Sequence, residues 1–206
     1  MIPKLFWSSR PISWINTAFP FAAGYYLVLG EINLTLVLGF VFFLIPYNLL
    51  MYGVNDVFDY ESDLRNPRKG GIEGALLEPK YHRPILLIAT LVPVPFLWYL
   101  FVQGDAQSNL ILGIVIFSVL AYSLKHMRFK EIPFLDSITS ATHFVGPLVY
   151  GISLAGGSLG NQTLILITLA FFLWGMASHA FGAVQDIRAD REANISSIAT
   201  VLGARA

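Results

Sequence analysis

Apolar and polar positions along the 206-residue chain fall into long blocks rather than a strand-like alternation. Six mostly apolar blocks cover approximately residues 12–29, 34–54, 84–102, 109–124, 135–155 and 163–184. About 20 such residues suffice for a helix to cross the hydrocarbon core of a bilayer, so the pattern predicts six transmembrane helices. The fourth block is short, and the fifth carries His143, Gly146 and Pro147. Pro46, Pro93 and Pro95 interrupt the pattern, which membrane helices tolerate where neighbours satisfy the freed backbone groups. The first block follows Lys4 and Arg10, a flank it shares with secretory signal peptides. Its length and the five blocks behind it read as an uncleaved helix.

Charge placement sharpens this picture. With six spans, the segments before odd spans and after even ones lie on one side of the membrane. That side receives Lys4, Arg10, Arg65, Arg68, Lys69, Lys80, Arg83, Lys125, Arg128, Lys130, Arg188, Arg191 and Arg205, which is every basic residue of the chain. The other side has only Glu31 and Asp105 as charges. The positive-inside rule then puts both termini of the chain in the cytoplasm. The fold class expected is all-α: a polytopic transmembrane bundle, one domain over residues 1–206.

Composition agrees. Charged residues make up 13% and apolar ones 55%, against about 25% charged in an ordinary soluble domain. Thirteen basic and thirteen acidic residues cancel, which removes the basic surface a nucleic-acid binder needs. The chain has no cysteine, hence no disulfide, thiolate metal site or cysteine nucleophile.

Chemistry concentrates where the even spans end. The second runs into Asn55-Asp56-Val57-Phe58-Asp59-Tyr60-Glu61-Ser62-Asp63. Continued as a helix, it places Asp56, Asp59 and Asp63 at about 0°, 300° and 340°, on one face with Asn55 beside it. Three aligned carboxylates repel unless a cation sits among them, and Mg²⁺ takes such oxygen ligands together with substrate phosphates. A solvated helix end is the plainer reading, although acids near a helix C-terminus oppose its dipole. The sixth span ends with Asp186 and Asp190, four residues apart on one face. Both clusters emerge on the same membrane face beside basic loops, an arrangement suited to metal ions holding a polyanion.

The patterns Asn-Asp-x-x-Asp-x-x-x-Asp and Asp-x-x-x-Asp resemble the paired motifs of the UbiA superfamily of intramembrane prenyltransferases, with Asn55, Asp56, Asp59, Asp63, Asp186 and Asp190 at the matching positions. The segment from Tyr122-Ser123 to Arg128-Phe129-Lys130 resembles the family's basic loop, with Lys125-His126 where a Pro-Pro pair often stands, and Asn194 replaces a frequent Gly after the second motif. Ser9-Arg10-Pro11, the residues after it to Tyr26, and Asp63-Leu64-Arg65-Asn66-Pro67-Arg68-Lys69-Gly70-Gly71 are similar to the carotenoid branch, which contains lycopene elongases. Family members typically have nine transmembrane helices, so six spans imply a chain lacking the last helices.

The resemblance implies an allylic diphosphate donor, dimethylallyl diphosphate in this branch, and a lipophilic acceptor such as lycopene. It also implies Mg²⁺ held by Asp56, Asp59, Asp63, Asp186 and Asp190, carotenoid-pathway enzymes as neighbours, and an active site at the cytoplasmic face. Arg65, Arg68, Lys69, Arg128 and Lys130 are candidates for the diphosphate oxygens. Asn48, Tyr52 and Tyr122 are candidates for the cavity wall, with Tyr47 and Phe58 as further aromatic faces for a cation. An aromatic or quinone precursor such as 4-hydroxybenzoate is the alternative acceptor. From another class come a cation-coupled transporter, whose ionisable residues would sit nearer the midplane, and an inactive fragment. His143 and His179 read as buried, hydrogen-bonded core histidines.

Overall fold

A computed structural model of the protein describes residues 1–64, 75–192 and 195–205. Arg65, Arg68, Lys69 and Asn194 lie outside the described residues. A short helix α1 (Ile2–Ser8) precedes α2 (Trp14–Leu29), α3 (Leu34–Leu44), α4 (Pro46–Phe58) and the single turn α5 (Tyr60–Asp63). Then come α6 (Pro79–Leu91), α7 (Val94–Gln103), α8 (Ala106–Ser123), α9 (Leu135–Leu154), α10 (Gln162–Glu192) and α11 (Ile198–Leu202). The described residues contain no strand. Each apolar block is helical, with α3–α4 forming the second span and α6–α7 the third.

Among the described residues, four helices or helix pairs are long and apolar enough to cross a membrane: Leu34–Phe58, Pro79–Gln103, Ala106–Ser123 and Gln162–Arg188. The first and fifth blocks fall short for different reasons. Helix α2 has 16 residues and is entered through a 3₁₀ turn at Pro11–Ser13. Helix α9 is long enough but polar, because it is the centre of the bundle: it packs on α2, α8 and α10. Its Asp136, Ser137, Thr139, His143 and Ser153 are buried in protein rather than facing lipid. Leu27, Trp98 and Phe181 face outward instead.

Two breaks follow from proline. Pro46 has no N–H, and the chain kinks at Ile45 between α3 and α4. The carbonyls freed there are covered from the side: Thr17 Oγ1 donates to Phe43 O at 2.7 Å, and Asn48 Nδ2 donates to Phe43 O at 2.8 Å and Leu44 O at 3.1 Å. Asn48 also donates to Thr17 Oγ1 at 2.7 Å, tying the kink to α2. Pro93, preceding α7, marks the second break. Helix α8 begins three residues before its apolar block, because Asp105 and Ser108 close a reciprocal capping box, each bond 2.8 Å long.

Around the first kink lies the apolar core. Phe21, Phe42, Phe43, Tyr47 and Tyr150 are buried together, with Phe42–Phe43, Phe21–Phe43 and Phe43–Tyr47 centroids 4.8, 5.0 and 5.1 Å apart. The tyrosine hydroxyls find carbonyls, Tyr47 donating to His143 O at 3.1 Å and Tyr150 to Leu100 O at 3.4 Å.

Helices α2 and α9 approach so closely that side chains are excluded at the crossing. A Cβ on Gly151 would stand 2.4 Å from Phe21 O and 3.0 Å from Tyr25 N, and one on Gly24 would stand 2.5 Å from Leu148 O. Small residues at such crossings let membrane helices gain backbone contact. Gly151→Ala is expected to destabilise the bundle by about 1–3 kcal/mol through overpacking, read as a lowered unfolding midpoint in detergent. An unchanged midpoint would show that the crossing can open without cost.

Candidate active site

The site is built at the end of the bundle where α4, α8 and α10 finish. At about 1.5 Å per residue, a 31-residue helix exceeds the roughly 30 Å hydrocarbon core, so the length of α10 carries its last turns, with Asp186 and Asp190, out to the rim. Helix α4 breaks at Asp59 and resumes as α5, yet the backbone bonds Asp59 N→Asn55 O (2.9 Å) and Asp63 N→Asp59 O (2.8 Å) keep a helical course. Asn55, Asp56, Asp59 and Asp63 are all buried as a result.

The buried acids meet basic groups brought from elsewhere in the chain. Asp56 accepts from Arg10 Nη2 at 3.1 Å and from the backbone N–H of Ala75 at 3.3 Å. The Arg10 guanidinium also lies 4.2 Å above the Tyr52 ring centroid. Asp59 is paired with Arg128 at 3.5 Å and with Lys130, and Arg128 also binds Glu131. Both arginines occupy left-handed backbone, with φ of 48° at Arg10 and 43° at Arg128. Such conformations cost energy in non-glycine residues and persist where the surroundings hold them. Ser123 donates to Asn55 Oδ1 at 2.9 Å, which leaves the Asn55 amide N–H groups as donors. At the end of α10, burial, helped by the neighbouring Asp186, pushes the Asp190 carboxyl up to about 6.

Asn55, Asp59, Asp63, Asp186, Asp190, Lys130, Tyr52 and Tyr122 converge on one cavity of about 360 Å³, together with Arg10, His143 and His179. The two carboxylate clusters, 123 or more residues apart in sequence, therefore face a common space. A second cavity, about 470 Å³, opens beside the first between α2, α9 and α10. Its wall is apolar and aromatic, with Ile15, Phe19, Phe171 and Trp174, and it shares Ser140, Phe144, Ser178 and His179 with the first.

Several sequence expectations are placed differently. Asp56 does not line the polar cavity; it stands behind the wall, against Arg10. Asn48 does not line it either, being fully buried where it mends the Pro46 kink. Tyr47 belongs to the aromatic core, and Phe58 also lies off the cavity wall. His143 and His179, read as core histidines, both reach the cavity. Arg10, which the sequence reading used for topology and for the family resemblance, and Asp136 are site residues that the two acidic motifs do not single out. The latent signals were an arginine directly before the first span and an acid opening the fifth.

Among the described residues, no three carboxylate or imidazole groups stand close enough to hold a metal ion as they sit. The donor set still fits Mg²⁺, which binds through one or two carboxylates plus substrate phosphates rather than in an all-protein cage. Carboxylates of both clusters facing one cavity, with Lys130 and Arg10 also in its wall, meet that requirement.

An all-helical, polytopic bundle with an acidic and basic cavity at one end and an apolar one beside it defines the class: a membrane-embedded protein in which a polar site adjoins an apolar one. Residues 17–206 match the UbiA prenyltransferase family, and the chain belongs to that family. It is 58% identical over its whole length to the C(50) beta-cyclic carotenoids biosynthesis protein LbtBC of Dietzia sp., spanning 48% of that protein. It is 56% identical over 96% of its length to a lycopene elongase/hydratase of Corynebacterium glutamicum, spanning 69% of it. A UbiA homologue from Archaeoglobus fulgidus, solved with DMAPP and Mg²⁺ bound, has the same fold at a TM-score of 0.74 and 22% identity, over 97% of this chain and 69% of that one.

Proposed function

We propose that the protein transfers a prenyl group from an allylic diphosphate, dimethylallyl diphosphate, to a carotenoid acceptor of the lycopene type. The observation that carries this reading is the junction of two unlike cavities. One is lined by carboxylates and basic groups, the other by aromatic and aliphatic side chains, and they share part of their walls. A substrate pair consisting of a diphosphate and a long hydrocarbon fits that junction. The apolar cavity has no charged side chain in its wall, which disfavours an acceptor bearing a carboxylate such as 4-hydroxybenzoate. The similarity to a carotenoid biosynthesis protein and a lycopene elongase/hydratase supports the same acceptor class.

Lys130, which lines the cavity, and Arg128, which shares Asp59 with it, are the basic groups for the diphosphate oxygens, and the sequence resemblance adds Arg65, Arg68 and Lys69. Asp59, Asp63, Asp186 and Asp190, with Asp56 supporting from behind, would hold Mg²⁺, which when bound would neutralise charge on the leaving diphosphate. Asn55 donates to an oxygen of that group. The allylic C–O bond breaks, and diphosphate departs with the electron pair. Tyr122 offers its face to the carbocation; Tyr52 has one face covered by Arg10. Bulk water would quench the cation, so the transfer needs a site that keeps most of it away.

Expression of the complete reading frame in lycopene-accumulating cells tests this reading, with an Asp186→Asn variant alongside. New carotenoids heavier by one or two five-carbon units, absent from the variant, are the expected result. Unchanged lycopene from a well-expressed, membrane-inserted protein would overturn the carotenoid acceptor. The reading also places the acidic cavity and both chain ends at the cytoplasmic face, supported by the basic residues gathered at that end. Cysteine labelling at position 126 should then occur from the cytoplasm and at position 105 from outside; the reverse pattern would refute the orientation.

A further inference from the structure

Prenyl transfer to an alkene leaves a problem that the diphosphate site does not solve. When the acceptor's π electrons form the new C–C bond, the positive charge moves to a tertiary carbon of the acceptor. An alkene product requires loss of a proton from an adjacent carbon. That carbon lies on the lipophilic substrate, so the proton acceptor must stand where the two cavities join.

His179 stands there. It lines both cavities, its side chain is 17% exposed, and its ring packs edge-on to Tyr122 with centroids 6.4 Å apart. Behind it, His179 Nε2 is 3.6 Å from Asp136 Oδ2. Asp136 is fully buried and rigidly held: Ser137 N–H donates to Oδ1 at 2.7 Å, and Ile198 N–H donates to Oδ2 at 2.7 Å. Two helix N-termini, those of α9 and α11, thus fix the carboxylate in place. Nε2 is the ring nitrogen nearest that carboxylate, which leaves Nδ1 as the nitrogen to take a proton. The other cavity histidine, His143, is 3% exposed, and its buried Nε2 has no hydrogen-bond partner. It therefore lacks a carboxylate to stabilise an imidazolium.

We propose that His179, oriented by Asp136, is the proton acceptor that ends prenyl transfer by converting the tertiary cation of the acceptor into an alkene. The inference rests on the prenyltransferase reading above. In this step a C–H electron pair becomes the new π bond, the proton moves to His179, and the resulting imidazolium is balanced by Asp136. Asp136 is a positioning residue. Without a base at this place, water from the polar cavity captures the cation and yields a tertiary alcohol, so the chain's own residues set the partition between alkene and hydrated product.

The test uses the full-length protein in membranes of lycopene-accumulating cells supplied with dimethylallyl diphosphate. Wild type is compared with His179→Gln, Asp136→Asn and His143→Gln. Released diphosphate and the ratio of alkene to alcohol among elongated carotenoids are read separately. Ionisation precedes proton removal, so in His179→Gln elongated alkene should fall by about 10²-fold relative to released diphosphate, the lower end of what loss of a general base costs. Asp136→Asn should move the ratio in the same direction by about tenfold, a lesser loss of the same base strength. A ratio of products does not depend on how much protein folds, so a purely structural role for Asp136 would leave it unmoved. An unchanged ratio in His179→Gln, an equal loss of diphosphate release and elongation, or a shift found in His143→Gln and absent from His179→Gln would overturn the assignment. A wild type that releases diphosphate but elongates no carotenoid would overturn the acceptor reading, and this assignment with it.

Discussion

Replacing Asp186 with asparagine is expected to lower Mg²⁺-dependent turnover by about 10²–10³-fold, the loss typical of removing one preorganised charge-stabilising group. The substitution keeps shape and hydrogen-bonding capacity and removes one negative charge from the cavity wall. Asp186 lies near the end of α10 and is only partly buried. Membrane insertion and the unfolding midpoint should therefore stay at wild-type values. Titration with Mg²⁺ is the decisive measurement: a weakened site recovers part of its activity at high metal concentration. Wild-type turnover at ordinary Mg²⁺ would remove Asp186 from the metal-binding set.

The second large effect is on stability. Arg10→Met should destabilise the protein by about 3–5 kcal/mol, the range for removing one partner of a buried ion pair. Asp56 has no exposed side-chain surface and the Arg10 side chain is 17% exposed, so solvent screens this pair little. Methionine keeps much of the stem over Tyr52 but deprives the Asp56 carboxylate of the guanidinium at 3.1 Å. The double variant Arg10→Met/Asp56→Asn removes both charges and should recover most of the lost stability. Unfolding in detergent, followed by circular dichroism, checks both. A double variant as unstable as Arg10→Met alone would show that packing, and not charge, sets the loss.

The contrast between these acids explains how far the candidate site was legible. Asp59, Asp63, Asp186 and Asp190 could be read because each cluster is local: spacing along a helix fixes which side chains share a face. Asp56 obeyed the same spacing, yet it faces the wall rather than the cavity, because Arg10, 46 positions away, takes its carboxylate. Asn48 was a polar residue inside a span and read as cavity-lining for that reason. The break at Pro46 supplies it with carbonyls to cover, and the lowest-cost place for its amide is the kink. Asp136 and His179 were out of reach for a related reason. Their pairing, and the Ile198 N–H that fixes Asp136 from 62 residues away, depend on how α9, α10 and α11 dock.

By itself the sequence determined the helical blocks, the end of the bundle that carries the charge, and the acid pairs that close the even spans. Those features are set by the cost of placing polar groups in hydrocarbon and by helix periodicity, both of which act over a few turns of chain. Tertiary structure alone decided that the fifth block is the polar centre of the bundle, which arginine holds which acid, and that a histidine backed by a buried carboxylate stands between two unlike cavities. These depend on long-range docking of helices, where a close approach such as Gly151 against Phe21 O fixes positions that no local pattern encodes.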